Sequence, residues 1–232
     1  MEHKISILFS ILREFIISKK IKAIAELETY DPQKIVFVLI DSFGLKEFNY
    51  LSRNSELFNA ENGIMLFNPF PSTKMAYRQI FFQGKNTIFD ILLSSSKSFG
   101  IIDNRFELSL FPHSDNILKA VRKSDGYALS KATELLKTCD IVWVHLMNLD
   151  HLYHSGIKSA RKYLLEFCET LRDFISSLES GTLCLIFGDH GKHHLKTRYY
   201  GKNPREKREF YRELTKMKCE ASRTVLYPIF VK

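Results

Sequence analysis

The sequence contains little of what marks membrane-spanning or disordered chains. Its apolar runs are short, and none approaches the roughly 18 uncharged residues that a transmembrane helix needs, so no membrane span is predicted. Glycine and proline are scarce, with 10 and 6 among 232 residues, while 45% of the residues are apolar. This composition argues against disorder and supplies enough apolar side chains for a sizeable core.

Cysteine is also scarce, and its spacing excludes some common uses. The chain has four cysteines and no Cys-x-x-Cys pair; they are Cys139, Cys168, Cys184 and Cys219. The apolar stretch near the N-terminus runs directly into charged residues and has no small-residue cleavage site, so a secretory signal is not expected. We therefore expect reduced, mostly buried thiols and a cytoplasmic protein.

The excess positive charge is confined to the C-terminal part of the chain. Residues 191–232 hold 12 Lys and Arg against 4 Glu, which accounts for the net charge of +8 of the whole chain. Within this part, residues 196–218 interleave basic side chains with four aromatic ones. Two interpretations stay open: a surface that stacks bases and pairs with phosphates, as nucleic-acid binding requires, or an amphipathic helix packed on the body.

Hydrophobic patterning predicts an α/β fold. Six apolar runs have the length of buried strands; they are 34–41, 63–67, 98–103, 141–146, 182–187 and 224–231. Helical periodicity is found between these runs, most clearly over 125–137 and 159–178. The alternation predicts a three-layer sandwich with a mostly parallel central sheet. Residues 1–30 are predicted to form an amphipathic helical extension, and residues 31–232 the α/β domain.

Side chains that bind metals follow three of the predicted strands. They are, in chain order, Asp41, Asp150, His154, Asp189 and His190. In a parallel sheet the carboxyl ends of the strands share one edge, where ligands bind. Asp150 and His154 are four residues apart and share a face if that stretch is helical. Carboxylate oxygen and imidazole nitrogen together suit Zn²⁺, Mn²⁺ or Fe, so a metal site is predicted at this edge.

These motifs also resemble a known family. From about Lys34 to Phe230 the chain shows the first-strand Asp41, a "PST…G" block, "NTIFDIL" followed by "SFGIID", the pair Asp150 and His154, and "GDHG". This set is similar to the alkaline phosphatase superfamily, and within it to the nucleotide pyrophosphatase/phosphodiesterase branch.

The resemblance implies a two-metal enzyme with an alkaline phosphatase-like core. Asp41, Asp189 and His190 would hold one divalent ion together with the nucleophile. Asp150, His154 and a further histidine would hold the other, with Zn²⁺ or Mn²⁺ favoured for both. A Thr or Ser hydroxyl would attack phosphorus, and water would then release the phosphoryl group.

The chain departs from the family pattern at two places. The position that the family gives to the nucleophile is occupied by Lys74, so either Thr73 or Ser72 takes its place or the covalent step is absent. The histidine expected shortly before the last strand is also missing. The candidates for that third ligand are His193, His194, Cys219 and Glu220.

Two functions follow from this resemblance. The first is a metal-dependent hydrolase of small phosphate esters, of the phosphodiesterase or nucleotide pyrophosphatase type, with Thr73 as nucleophile and a nucleotide among the candidate substrates. The alternative is a degenerate relative that binds phosphate-bearing ligands or nucleic acid through residues 196–218.

Overall fold

The computed structural model describes residues 2–69, 72–83, 86–155, 160–192 and 220–232. Several predicted features lie outside these residues, namely both ends of the "PST…G" block, His193, His194, Cys219 and the basic segment 196–218.

The described residues form one eight-stranded sheet. Its strands are β1 (Glu2–Lys4), β2 (Lys34–Ile40), β3 (Ile64–Phe67), β4 (Phe99–Asp103), β5 (Ile117–Val121), β6 (Ile141–Leu146), β7 (Thr182–Phe187) and β8 (Arg223–Phe230). The spatial order is β1-β3-β8-β7-β2-β6-β4-β5. Among these strands β8 alone is antiparallel to its neighbours, so the predicted mostly parallel sheet is confirmed.

Helices cover both faces of the sheet. They are α1 (Ile7–Ser18), α2 (Leu45–Asn54), α3 (Thr73–Phe81), α4 (Ile88–Leu93), α5 (Arg105–Leu108), α6 (Asp125–Leu135), α7 (Asn148–His154) and α8 (Ala160–Ser176), with 3₁₀ turns at Ala25–Leu27 and Ala60–Asn62. Helices α1, α3 and α4 pack on one face, and α2, α6 and α8 on the other.

The sequence of β2 explains why both faces are covered. Alternate residues of a strand point to opposite faces of the sheet, and β2 has apolar residues on both of its faces. Ile35, Phe37 and Leu39 belong to the core on the α1 side. The intervening residues, Val36, Val38 and Ile40, belong to the core on the α6 side. A strand that is apolar on both faces can be buried only between two layers, so the predicted three-layer sandwich is confirmed.

The predicted strands and the two strongest predicted helices are present within about two residues of their expected ends. The N-terminal residues differ more from expectation, because residues 2–4 form strand β1, which pairs with β3. Helix α1 buries Leu8, Leu12 and Phe15 in the common core. The segment thus contributes to the same core as the rest, and a domain boundary at residue 30 stays a prediction.

The described cysteines behave as the sequence indicates. Cys139, Cys168 and Cys184 are buried free thiols. Burial raises the pKa of each of these three thiols above its usual range. In the part of the chain that the structure describes, no helix has the length and apolar character needed to cross a membrane.

Candidate active site

A glycine allows the ends of β2 and β7 to approach each other. Gly188 follows β7, and a Cβ atom built on it would lie 1.8 Å from the carbonyl oxygen of Phe43, in the loop after β2. Only a residue without a side chain fits at that distance. The close contact places Asp41, just after β2, beside Asp189 and His190, just after β7.

These three predicted ligands form a compact buried cluster. Nε2 of His190 lies 3.2 Å from Oδ1 of Asp41 and 3.5 Å from Oδ2 of Asp189. One ligand atom from each of the three residues lies within 4.8 Å of the others. At most 5% of each residue is exposed, so the group is shielded from bulk water. The structure therefore brings together the three residues that were assigned to one ion.

Thr73 extends this cluster with a hydroxyl group. It is the first residue of α3, and its Oγ1 donates a hydrogen bond to Oδ2 of Asp189 at 2.7 Å. The same Oγ1 lies 3.3 Å from Oδ2 of Asp41. Lys74, which occupies the family's nucleophile position, is exposed, and Ser72 precedes the helix. Of these three residues, Thr73 is the one whose side chain contacts the cluster in the described part of the chain.

Helix α3 is fixed to the cluster by an amide pair. The side chain of Asn68, which is fully buried, donates from Nδ2 to the backbone carbonyl of Asp189 at 2.8 Å. Its Oδ1 accepts a hydrogen bond from Nε2 of Gln79, on α3, at 3.0 Å. These bonds tie the helix that carries Thr73 to the strand end that carries Asp189.

The second predicted pair lies on α7, directly after β6. Nε2 of His154 lies 3.1 Å from Oδ2 of Asp150, so the expected four-residue spacing does place both on one helical face. Asp150 is buried, whereas 57% of the His154 side chain is exposed. The start of α7 is held by Asp125, whose carboxylate accepts hydrogen bonds from the backbone N–H groups of Met147 and Asn148.

Ser42 connects the two groups. Its hydroxyl donates to Oδ1 of Asp150 at 2.6 Å, and its backbone N–H donates to Oδ1 of Asp189 at 3.4 Å. Of the candidate third ligands for Asp150 and His154, three lie outside the described residues. The fourth, Glu220, instead forms an ion pair with Lys46 at 2.5 Å.

A buried polar chain behind Asp41 was not predicted. Nε2 of His145 lies 3.4 Å from Oδ2 of Asp41, and its Nδ1 lies 2.8 Å from Oδ1 of Asp103. Asp103 accepts a hydrogen bond from the hydroxyl of Tyr77, which in turn accepts one from the indole of Trp143 at 3.0 Å. The available signal was a histidine inside the apolar run "IVWVHL" and an aspartate at the end of "FGIID", since a buried polar side chain needs a partner.

Burial and the neighbouring charges shift the pKa values of the cluster residues in opposite directions. Burial raises the pKa of Asp41, but the imidazoles of His145 and His190 outweigh it and hold that pKa well below its usual range. Burial, and then the charge of Asp41, raises the pKa of Asp189. Burial lowers the pKa of His190, yet the carboxylates of Asp189 and Asp41 raise it to about 10. Without a metal, the raised pKa of His190 keeps its imidazole protonated beside the two carboxylates.

This donor set fits a divalent cation. Oδ1 of Asp41 is fully buried and faces Nε2 of His190 at 3.2 Å, but among the described residues it accepts no hydrogen bond of good geometry. Two carboxylates and one imidazole converge on the same small space, which is a common ligand set of Zn²⁺ and Mn²⁺. A cation bound there would replace the proton that the cluster otherwise holds.

The protein is thus an α/β sandwich that carries acidic, imidazole and hydroxyl groups at the carboxyl ends of parallel strands. No protein-family model and no curated protein matches the sequence.

Solved structures do resemble the chain. PH0037 from Pyrococcus horikoshii has a TM-score of 0.55 at 14% identity, with 87% of each chain covered. The C-terminal periplasmic domain of EcEptC from Escherichia coli has a TM-score of 0.50 at 11% identity, with 87% of this chain and 73% of that one covered. A protein in the alkaline phosphatase superfamily from Vibrio parahaemolyticus has a TM-score of 0.49 at 16% identity, with 97% and 69% covered.

The chain therefore shares its fold, an α/β sandwich with a mostly parallel sheet, with PH0037 and with the EcEptC domain. At these identities the likeness establishes the fold, and the chemistry must be argued from the chain's own residues.

Proposed function

We propose that the chain is a metal-dependent enzyme that hydrolyses phosphate esters, with Thr73 as its nucleophile. The observation that carries this proposal is the Thr73 hydroxyl, which is hydrogen-bonded to Asp189 at 2.7 Å within a buried cluster of two carboxylates and one imidazole. A lone hydroxyl at a helix start has many structural uses, but one directed at three converging metal-type ligands has a direct catalytic use.

Five side chains would hold two divalent ions, with Zn²⁺ or Mn²⁺ favoured. Asp41, Asp189 and His190 would bind one ion next to Thr73, and Asp150 with His154 would bind the other. When bound, such ions supply positive charge that stabilises phosphate oxygens and lowers the pKa of a coordinated hydroxyl.

The chain's own residues orient the reaction. Asp189 accepts the hydrogen bond of Thr73 and so fixes the position of Oγ1. In the first step Oγ1 loses its proton to solvent and bonds to phosphorus while the bond between phosphorus and the ester oxygen breaks, and the departing oxygen takes up a proton from solvent. Water then displaces Oγ1 from phosphorus and regenerates the hydroxyl.

The start of α3 adds favourable electrostatics. The first backbone N–H groups of a helix have no intrahelical acceptor, and the helix dipole favours an anion there. Thr73 is the first residue of this nine-residue helix, and the exposed cation of Lys74 follows it. Lys74 is thus suited to attract a phosphate group rather than to carry it covalently.

The fold and the sequence motifs support the proposed substrate class. Proteins with this fold include phosphate-ester hydrolases and transferases, which supports phosphate-ester chemistry in general. The likeness to the nucleotide pyrophosphatase/phosphodiesterase branch leads us to propose a small diester or pyrophosphate, with a nucleotide among the candidates.

The test compares hydrolysis of bis-p-nitrophenyl phosphate and p-nitrophenyl phosphate with Zn²⁺ or Mn²⁺ added. We expect activity in wild type, a loss of at least about 100-fold in Thr73→Ala, and retention within about tenfold in Thr73→Ser, which keeps the hydroxyl. Ser72→Ala is the matched control, and it should remain active. Mass spectrometry after acid quenching should find a phosphoryl group on Thr73.

Full activity in Thr73→Ala would remove Thr73 from the reaction. Absence of both bound metal and hydrolysis in wild type would overturn the proposed function.

A further inference from the structure

Ser42, the residue after Asp41, has an unusual backbone. Its φ is 65°, in the left-handed region that residues other than glycine seldom adopt, and the residue is fully buried. Such a conformation costs free energy and persists only where the surrounding structure imposes it. The contacts of Ser42 show what this conformation achieves.

The left-handed turn directs two donors of one residue to two different carboxylates. The backbone N–H of Ser42 donates to Oδ1 of Asp189, and its hydroxyl donates to Oδ1 of Asp150 at 2.6 Å. Asp189 follows β7 and Asp150 lies on α7, so the two acids come from separate elements. Ser42 is therefore in direct contact with both halves of the site.

In both carboxylates the oxygen that faces away from Ser42 is the one directed at the reacting groups. Oδ2 of Asp189 accepts the hydrogen bond of Thr73, and Oδ2 of Asp150 lies 3.1 Å from Nε2 of His154. Ser42 thus contacts one oxygen of each acid and leaves the other oriented toward the site. It holds the oxygen of Asp189 together with the backbone N–H of His190, which donates to it at 2.9 Å.

We propose that Ser42 is a positioning residue that sets the second ion site, at Asp150 and His154, relative to the first. This inference rests on the proposed two-metal function. Its N–H anchors the half that contains Asp189, and its hydroxyl orients Asp150 for metal binding. Residues that hold the outer atoms of metal ligands in this way typically change metal affinity by about 10- to 100-fold when they are removed.

The backbone conformation provides a way to separate positioning from folding. Ser42→Gly removes the hydroxyl, keeps the N–H, and relieves the left-handed strain because glycine adopts positive φ readily. Ser42→Ala removes the same hydroxyl but keeps the strain. We therefore expect a higher melting temperature for Ser42→Gly than for Ser42→Ala, with the same loss of metal affinity in both.

The experiment is a Zn²⁺ titration of the full chain by calorimetry, together with thermal unfolding. Wild type should bind two ions, and both Ser42 variants should bind the second ion about 10- to 100-fold more weakly. The first ion should change by less than about threefold. The Ser42 hydroxyl does lie 3.4 Å from Nδ1 of His190, but that nitrogen is held more closely by the carbonyl oxygen of Gly191, at 2.9 Å. Asp150→Asn provides the reference for a damaged second site. Lys19→Gly, which relieves a left-handed residue (φ 58°) at the end of α1, is the control for strain relief and should leave both ions unaffected.

The outcomes distinguish the two proposals. If wild type binds two ions and Ser42→Gly binds them equally well, the role of Ser42 is refuted and the proposed function stands. The role is also refuted if the loss of metal affinity tracks the loss of stability, so that Ser42→Ala loses the second ion and Ser42→Gly does not. It is refuted as well if wild type binds a single ion. If wild type binds no metal and hydrolyses no ester, both proposals are overturned.

Discussion

Replacing Gly188 with alanine should disrupt the approach of two strand ends that brings the site together. The added Cβ would lie 1.8 Å from the carbonyl oxygen of Phe43, whereas real Cβ contacts are essentially never under 3.0 Å. The backbone must therefore separate by about 1.2 Å, the difference between these two distances. Overpacking of this kind costs about 1–3 kcal/mol, which corresponds to a fall in melting temperature of several degrees for a chain of this size.

The same displacement would affect the site. Thr73 spans the two strand ends with Oγ1 2.7 Å from Asp189 and 3.3 Å from Asp41. A separation of about 1 Å at these ends exceeds the range of a good hydrogen bond on at least one side, so metal binding and hydrolysis should both fall.

The chain provides a matched control at Gly126, near the start of α6. A Cβ built there has no heavy atom within 4 Å, so Gly126→Ala should instead stabilise the helix by about 0.5–1 kcal/mol. Urea unfolding of wild type and both variants measures the difference. Equal stability of wild type and Gly188→Ala would refute the close approach and, with it, the account of how the strand ends meet.

Two further predictions concern the cluster and the polar chain behind it. Metal removal by a chelator should lower stability by about 2.7 kcal/mol for each ion lost, relative to protein with free metal at 100 times its Kd, since an ion that binds only the folded state stabilises it by that amount. An unchanged melting temperature would argue against a structured metal site. Tyr77→Phe removes the hydroxyl that donates to the fully buried Asp103 and accepts from Trp143, and should cost about 2–3 kcal/mol in urea unfolding. A cost below about 0.5 kcal/mol would show that this buried chain contributes little.

The sequence predicts the sheet well because its central strands are apolar on both faces. It also predicts the acids at the strand ends, since a polar residue after a buried strand of a parallel sheet has one place to lie. The short helices α4 and α5, of six and four residues, were not predicted, because they are too short to show a helical period.

Three features of the site depend on tertiary contacts that no local pattern encodes. The sequence left open whether Thr73, Ser72 or no residue is the nucleophile, because the hydroxyl that reaches the cluster depends on the residue at which α3 begins. The chain of His145, Asp103 and Tyr77 is assembled from β6, β4 and α3, so no single segment reveals it. The left-handed backbone of Ser42 is likewise imposed by its surroundings.

The groups of the site are carried by helices that pack on opposite faces of the sheet. Thr73 is carried by α3, which packs into the core on one face through Ala76, Tyr77 and Ile80. Asp150 is carried by α7, where Leu149 belongs to the core on the opposite face. Repacking of one layer can thus shift Thr73 without altering the support of Asp150. The two halves can accordingly vary separately during evolution, with the sheet and the turn after β2 as their shared frame.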